Sequence, residues 1–190
     1  QSNELVMSTY TMTTKEKELL FTCISQIDSR PEAPQINKQT KFSLTVEQIR
    51  DVFYKDSYDK NLYRDLADAS NRLFDREVSI KIGEEKVLKT RFVSGILFDP
   101  KEAKVTLTFA EDILPYLTQL KANFTKYRLV EISQLSSTHA MRLYELIVCW
   151  TGQFQYSQKL SLDEFRYVMG VSGKYKQFGQ LKESVIDKAI

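Results

Sequence analysis

The chain has 190 residues, 42% hydrophobic and 27% charged, with a formal net charge of +2. No apolar run approaches the roughly 18 residues of a membrane span and no secretory core is present, which excludes a spanning helix or an export signal in this sequence. The small positive balance carries little weight for nucleic acid, so a DNA binder of this composition must gather its basic residues on one face.

In chain order, residues 1–12 hold a short apolar cluster, Leu5, Val6 and Met7. Thr13 or Thr14 then caps a helix expected to run to about Ile27, with Glu16 and Glu18 in its first turn. Pro31 and Pro34 make the following stretch a loop. Phe42-Ser43-Leu44 reads as a short strand, and Thr45 caps a helix to about Tyr54. Residues 58–76 form the next helix, with Leu62, Leu66, Ala69 and Leu73 on one face. The period then changes to two. Val78, Ile80 and Ile82, a return over 86–98, and Val105, Leu107 and Phe109 predict a three-stranded antiparallel meander. A short helix covers 113–120, with Pro115 in its first turn. Residues 121–135 join the halves. Helical spacing resumes after Ser136 and Ser137 and ends at Gly152. Residues 162–169 are helical, 170–173 turn, and Phe178, Leu181, Val185 and Ala189 stripe the last helix.

Cys23 and Cys149 both fall among helical apolar residues and read as buried reduced thiols. No disulfide framework is implied, and a cytoplasmic setting is expected.

The order helix, short strand, helix, turn, helix occurs twice, marked by Lys41-Phe42-Ser43-Leu44 and Lys159-Leu160-Ser161-Leu162. The first copy continues into a hairpin, and the second stops where its hairpin would begin, so a fragment is expected. This is the pattern of two tandem winged helix-turn-helix domains, an α+β fold, with the second truncated before its wing. The expected division is 1–120, a linker over 121–135, and 136–190.

Catalytic constellations are missing. The only histidine is His139, so no histidine cluster can build a metal pocket beside a tyrosine nucleophile. Gly170-Val171-Ser172-Gly173-Lys174-Tyr175 lacks the glycine spacing and the magnesium-binding hydroxyl of a phosphate-binding loop. No cysteine pair has zinc spacing. The expectation is a non-enzyme without metal or cofactor.

A helix-turn-helix sets its second helix in the major groove while other elements hold the backbone. In the first unit that helix presents Lys60, Asn61, Arg64 and Arg72, interleaved with acids that make a solvated face the competing reading. The hairpin offers Lys86, Lys89 and Arg91 for phosphates or the minor groove, although such charges also protect a sheet edge. In the second unit Lys174, Tyr175, Lys176 and Gln177 lead into the last helix, which carries Gln180 and Lys182 off its apolar stripe. Gln pairs with adenine, and Lys addresses phosphate or guanine. Ser136 and Ser137 are candidate phosphate contacts, with simple capping as the alternative.

The sequence resembles the iteron-binding initiator replication proteins of plasmids. The resemblance is carried by Phe124-Thr125-Lys126-Tyr127, Leu135-Ser136-Ser137 and, most specifically, Arg142-Leu143-Tyr144-Glu145-Leu146. It implies that monomers bind double-stranded origin repeats and open the origin with host replication proteins. It further implies that homodimers repress the protein's own gene at an inverted repeat, and that the helix bearing Arg142–Leu146 is the joint that changes between the two states. The alternating residues Phe92, Val93, Ile96, Val105, Leu107 and Phe109 are the expected dimer surface, because they offer more apolar area than one small unit obviously needs. A dedicated winged-helix repressor and a protein-docking module are the alternative readings.

Overall fold

The computed structural model describes residues 2–28, 34, 36–55, 61–83, 85–118 and 129–190. Candidate Lys60, the segment 121–128 of the expected linker and the Phe124–Tyr127 motif lie outside the described residues.

The first unit begins with a short helix, α1 (Asn3–Val6), and a longer one, α2 (Thr14–Ser25). Thr13 starts α2 through a capping box: its hydroxyl accepts from the Glu16 N–H, and the Glu16 carboxylate accepts from the Thr13 N–H. Strand β1 (Lys41–Thr45) runs into α3 (Val46–Phe53) through a second box, Thr45 with Gln48. Helix α4 (Leu62–Phe74) follows. Its core face is the predicted one: Leu62, Leu66, Ala69 and Leu73 are all buried.

The predicted meander is not what forms. Strands β2 (Glu77–Ile82) and β3 (Lys86–Arg91) pair as a two-stranded hairpin. Strands β4 (Val93–Asp99) and β5 (Lys104–Phe109) join β1 in a separate antiparallel sheet, ordered β1-β5-β4. The chain changes sheet at Phe92 because Phe92 and Val93, adjacent in sequence, are both fully buried. A regular strand sends successive side chains to opposite faces and cannot bury both on one. Phe92 instead meets the Tyr10 ring edge-on, with centroids 5.2 Å apart. In the larger sheet Phe42 stands opposite Leu107 and Leu44 opposite Val105, filling one face with apolar groups.

This packing uses most of the expected dimer surface. Phe92, Val93, Val105, Leu107 and Phe109 are interior to the chain's own first core, and only Ile96 of that set is half-buried. The alternation had marked the core-facing side of a sheet that α2 and α4 cover. A 3₁₀ turn (Glu111–Ile113) and α5 (Leu114–Thr118) close the unit.

Part of the expected linker is structured. Residues Leu129–Ile132 form helix α6, and Ile132 is buried with Phe21 and Met141 in a small cluster. Helix α7 (Thr138–Gly152) is followed by α8 (Leu162–Val168), α9 (Phe178–Leu181) and a π-helical turn (Lys182–Ile186). The strand expected at 159–162 is absent: Ser161 is the cap of α8 in a third capping box with Glu164, and Leu162 is already helical. Ser161 is therefore the counterpart of Thr45, and the internal repeat is offset from the Lys-x-Ser-Leu match. The last helix is broken into its two short pieces. Leu181 and Val185 are buried as expected, but Phe178 is 54% exposed.

Two main cores result, and the N-terminal segment belongs to both. Leu5 packs into the first, while its neighbour Val6 joins Leu146, Cys149, Val168, Met169, Val171, Leu181 and Val185 in the second. Consecutive residues on a helix point about 100° apart, so one turn can supply two cores. Thr9 bridges to Ser79 of β2, and the Ser2 N–H donates to Tyr116 O at 2.6 Å. Both cysteines are buried, and burial pushes the Cys23 thiol far above its usual range. Among the described residues, no helix is long and apolar enough to cross a membrane.

Candidate nucleic-acid interface and the joint behind it

In the first unit the expected basic face divides. Arg72 donates Nε to Glu16 Oε1 at 3.1 Å, and Arg76 forks onto both oxygens of the same carboxylate at 3.0 and 3.1 Å. Glu16 is fully buried, so these arginines tie α4 to the start of α2, and Arg72, although 47% exposed, is engaged by a structural partner. Arg91 is likewise engaged, donating to Phe74 O and lying 3.9 Å from Asp75. Arg64 is 68% exposed and 3.7 Å from Asp65. Asn61 occupies the cap position of α4. Lys86 and Lys89 are exposed on the hairpin, beside exposed Ile82 and Val87 near its tip.

In the second unit the strip leading into α9 is outward. Lys174, Lys176, Gln177 and Gln180 are exposed, and Tyr175 is half-buried. Gly170 and Gly173 hold positive φ angles, which lets the chain reverse there. Arg166 fixes the strip from behind: its Nη2 donates to Tyr175 O and Lys176 O, each at 3.1 Å, while Nη1 pairs with Asp163 at 2.9 Å. Sequence reading missed Arg166, although Asp163 and Arg166 stand three apart, the spacing of a helical ion pair. Lys182 is held by Asp187 at 2.8 Å. Ser137 spends its hydroxyl on folding, accepting from the Ala140 N–H at 2.9 Å and donating to Lys188 O at 2.7 Å. Capping is thus its structural role, while Ser136 is exposed.

Behind both surfaces lies a buried polar joint. Arg142 donates to Val168 O, Val6 O and Ser8 O, each at 2.6 Å, and to the Tyr10 hydroxyl at 2.8 Å. Tyr10 in turn donates to Glu145 Oε1 at 2.7 Å. Lys17 reaches Glu145 Oε2 at 2.7 Å, and Arg142 approaches that oxygen at 3.4 Å. All three charged side chains are 3% exposed or less. Burial works against ionised Glu145, but Lys17 and Arg142 outweigh it and hold the carboxyl below the usual carboxylate range. Lys17 shares that carboxylate with Arg142, so burial prevails there and its ammonium is held below the usual lysine range. Gly170 completes the contact: a Cβ there would lie 2.2 Å from Tyr10 O. A further bridge runs from the hairpin, where Lys81 sits over the Tyr167 ring at 4.6 Å and the Tyr167 hydroxyl donates to Ser79 O at 3.3 Å. The partners Tyr10, Lys17, Val6 and Ser8 were not visible from spacing, because they lie 128 or more residues from Arg142 or Glu145.

Two helical DNA-reader-like units, one with its hairpin and both braced through an N-terminal segment, define a tandem winged-helix protein. Residues 1–148 match the family described as Initiator Replication protein, WH1, and residues 161–190 match Initiator Rep protein, WH2. The chain belongs to this initiator replication protein family. A curated Replication initiation protein of Escherichia coli is 30% identical over 190 residues, covering 98% of this chain, which spans 58% of that relative's length. A solved structure of the Pi initiator protein in complex with iteron DNA superposes with a TM-score of 0.76 at 22% identity, covering 100% of this chain and 81% of that one. At that identity the likeness speaks for the fold.

Proposed function

We propose that this chain binds repeated double-stranded DNA at a replication origin and serves in replication initiation, gripping the duplex through both units. The observation that carries the reading is the outward strip Lys174–Gln180, pinned from behind by Arg166, on the same braced body as the exposed Lys86 and Lys89 of the hairpin. Family membership supports it, as does the fold shared with an initiator solved on iteron DNA. The hairpin lysines and Lys176 hold phosphates, and Gln177 and Gln180 read base edges. Arg72 and Ser137 are committed to partners within the chain. A homodimer acting at an inverted repeat, and contacts with host replication proteins, belong to the same reading. The edge strand β4, with Ile96 half-buried and Leu97 62% exposed, is the surface left for self-association. The test is fluorescence anisotropy on a duplex carrying origin repeats against a scrambled duplex across a salt series. Specific binding whose affinity falls steeply with salt supports the proposal, and equal or salt-independent binding to both duplexes rejects it.

A further inference from the structure

Between the two units the N-terminal segment, α2, the start of α7 and the 169–175 turn line a solvent-open pocket of about 210 Å³. Its walls carry Lys17, Arg142, His139 and Lys174, with the hydroxyl-bearing Thr11 and Thr138; among the described residues that line it, none is acidic. The acid behind the wall, Glu145, is shared between the two buried cations Lys17 and Arg142. We propose that this pocket is a binding site for a phosphate-type oxyanion, the class of ligand that a lining of ammonium, imidazole and hydroxyl groups without an acid fits.

The chemistry favours that class of ligand. Ammonium, imidazole and hydroxyl groups line the pocket from different segments, the donor types that a tetrahedral oxyanion with acceptors in several directions takes. Arg142 commits its N–H groups to Val168 O, Val6 O, Ser8 O, the Tyr10 hydroxyl and Glu145, so the donors offered to a ligand are those of Lys17, His139, Lys174 and the two threonine hydroxyls. His139 reports the same field: burial first, then Lys17, Lys188 and Lys174, hold its imidazole below the usual histidine range. An anion seated among these groups reverses that field and favours imidazolium. Lys174 is exposed and belongs to the outward strip of the second unit. The phosphate therefore has two possible sources, a free small anion or the backbone of bound DNA. In either case it ties α2 of the first unit to α7 and the 169–175 turn of the second.

The single histidine makes the site directly observable. The imidazole resonance of the whole chain is followed by NMR against pH, in inorganic phosphate and in chloride at matched ionic strength. Phosphate is expected to raise the His139 pKa by about one unit over the chloride control. Lys174→Gln, an exposed substitution, is expected to weaken the phosphate effect about tenfold with the unfolding midpoint retained, and His139→Gln gives the second variant by calorimetric titration with phosphate. No response beyond chloride, or an equal response in Lys174→Gln, overturns the proposal. The source is read by repeating the titration on protein saturated with origin-repeat duplex. A complex that already shows the raised pKa and no longer takes phosphate identifies the DNA backbone as the ligand. A complex that still takes phosphate identifies a free anion. The site is read on the protein without DNA, so failure of the origin-binding reading and failure of this site give different results.

Discussion

Replacing Glu145 with Gln isolates what the joint contributes. The substitution keeps side-chain volume but removes the negative charge beside two cations that are 3% exposed. It also puts an amide where Lys17, Arg142 and the Tyr10 hydroxyl all donate. Removing one partner of a buried pair costs roughly 3–5 kcal/mol, because the remaining charge stays desolvated. Lys17 limits the loss by giving up its proton, since burial already holds its pKa down. The folded variant then binds fewer protons than the unfolded chain, so its stability rises with pH until the ordinary lysine value of about 10.4. In the parent the same sign applies at the acid end. Glu145 is held below the usual carboxylate range, so its contribution is present above about pH 4.3 and is lost as pH falls through the lowered pKa. The single tryptophan, Trp150, packs against the second core and provides a local fluorescence probe. With a urea slope of about 2 kcal/mol per molar, the Trp150 transition is expected to move down by about 1.5–2.5 M. Adding Lys17→Met is expected to recover part of the loss, a non-additivity that marks direct coupling. A shift below about 0.5 M, or strictly additive changes, would refute the claim that this carboxylate holds the units together.

Other outcomes follow from the same geometry. Gly170→Ala introduces a methyl 2.2 Å from Tyr10 O at a φ of +69°, and is expected to destabilise the second unit by about 2–4 kcal/mol in thermal unfolding. Arg166→Met releases the carbonyls of Tyr175 and Lys176, and should lower cognate DNA affinity in anisotropy while far-UV circular dichroism stays unchanged. Lys176→Ala should weaken cognate and scrambled duplexes alike and reduce the log–log salt slope by about 0.9. Gln180→Ala should cost about 1–3 kcal/mol on the cognate duplex alone. Val6→Ala should lower the Trp150 transition more than Leu5→Ala does, since only Val6 enters the second core.

Much of the local chemistry was legible in the sequence, the Ser161 cap and the Asp163–Arg166 pair being the exceptions. The caps at Thr13 and Thr45, the stripe Leu62–Leu73 on α4 and the turn at Gly170–Gly173 follow from hydrogen bonds and steric limits spanning a few residues. The Arg142–Leu146 segment also marked the family from sequence, and the family match agrees. Periodicity, however, reports that one face is buried without saying by what. It could not distinguish a face covered by α2 and α4 from one awaiting a second copy, so Phe92, Val105, Leu107 and Phe109 were assigned to a dimer. It could not foresee that β3 and β4 part company at Phe92. Nor could it separate the arginines: Arg72 is engaged by Glu16 because that carboxylate lies across the α2–α4 contact, a neighbour set by packing. The joint is the clearest case. Nothing local marks Lys17 and Glu145 for burial, and only tertiary structure brings them to 2.7 Å and buries them, because burial depends on what the rest of the chain places around them.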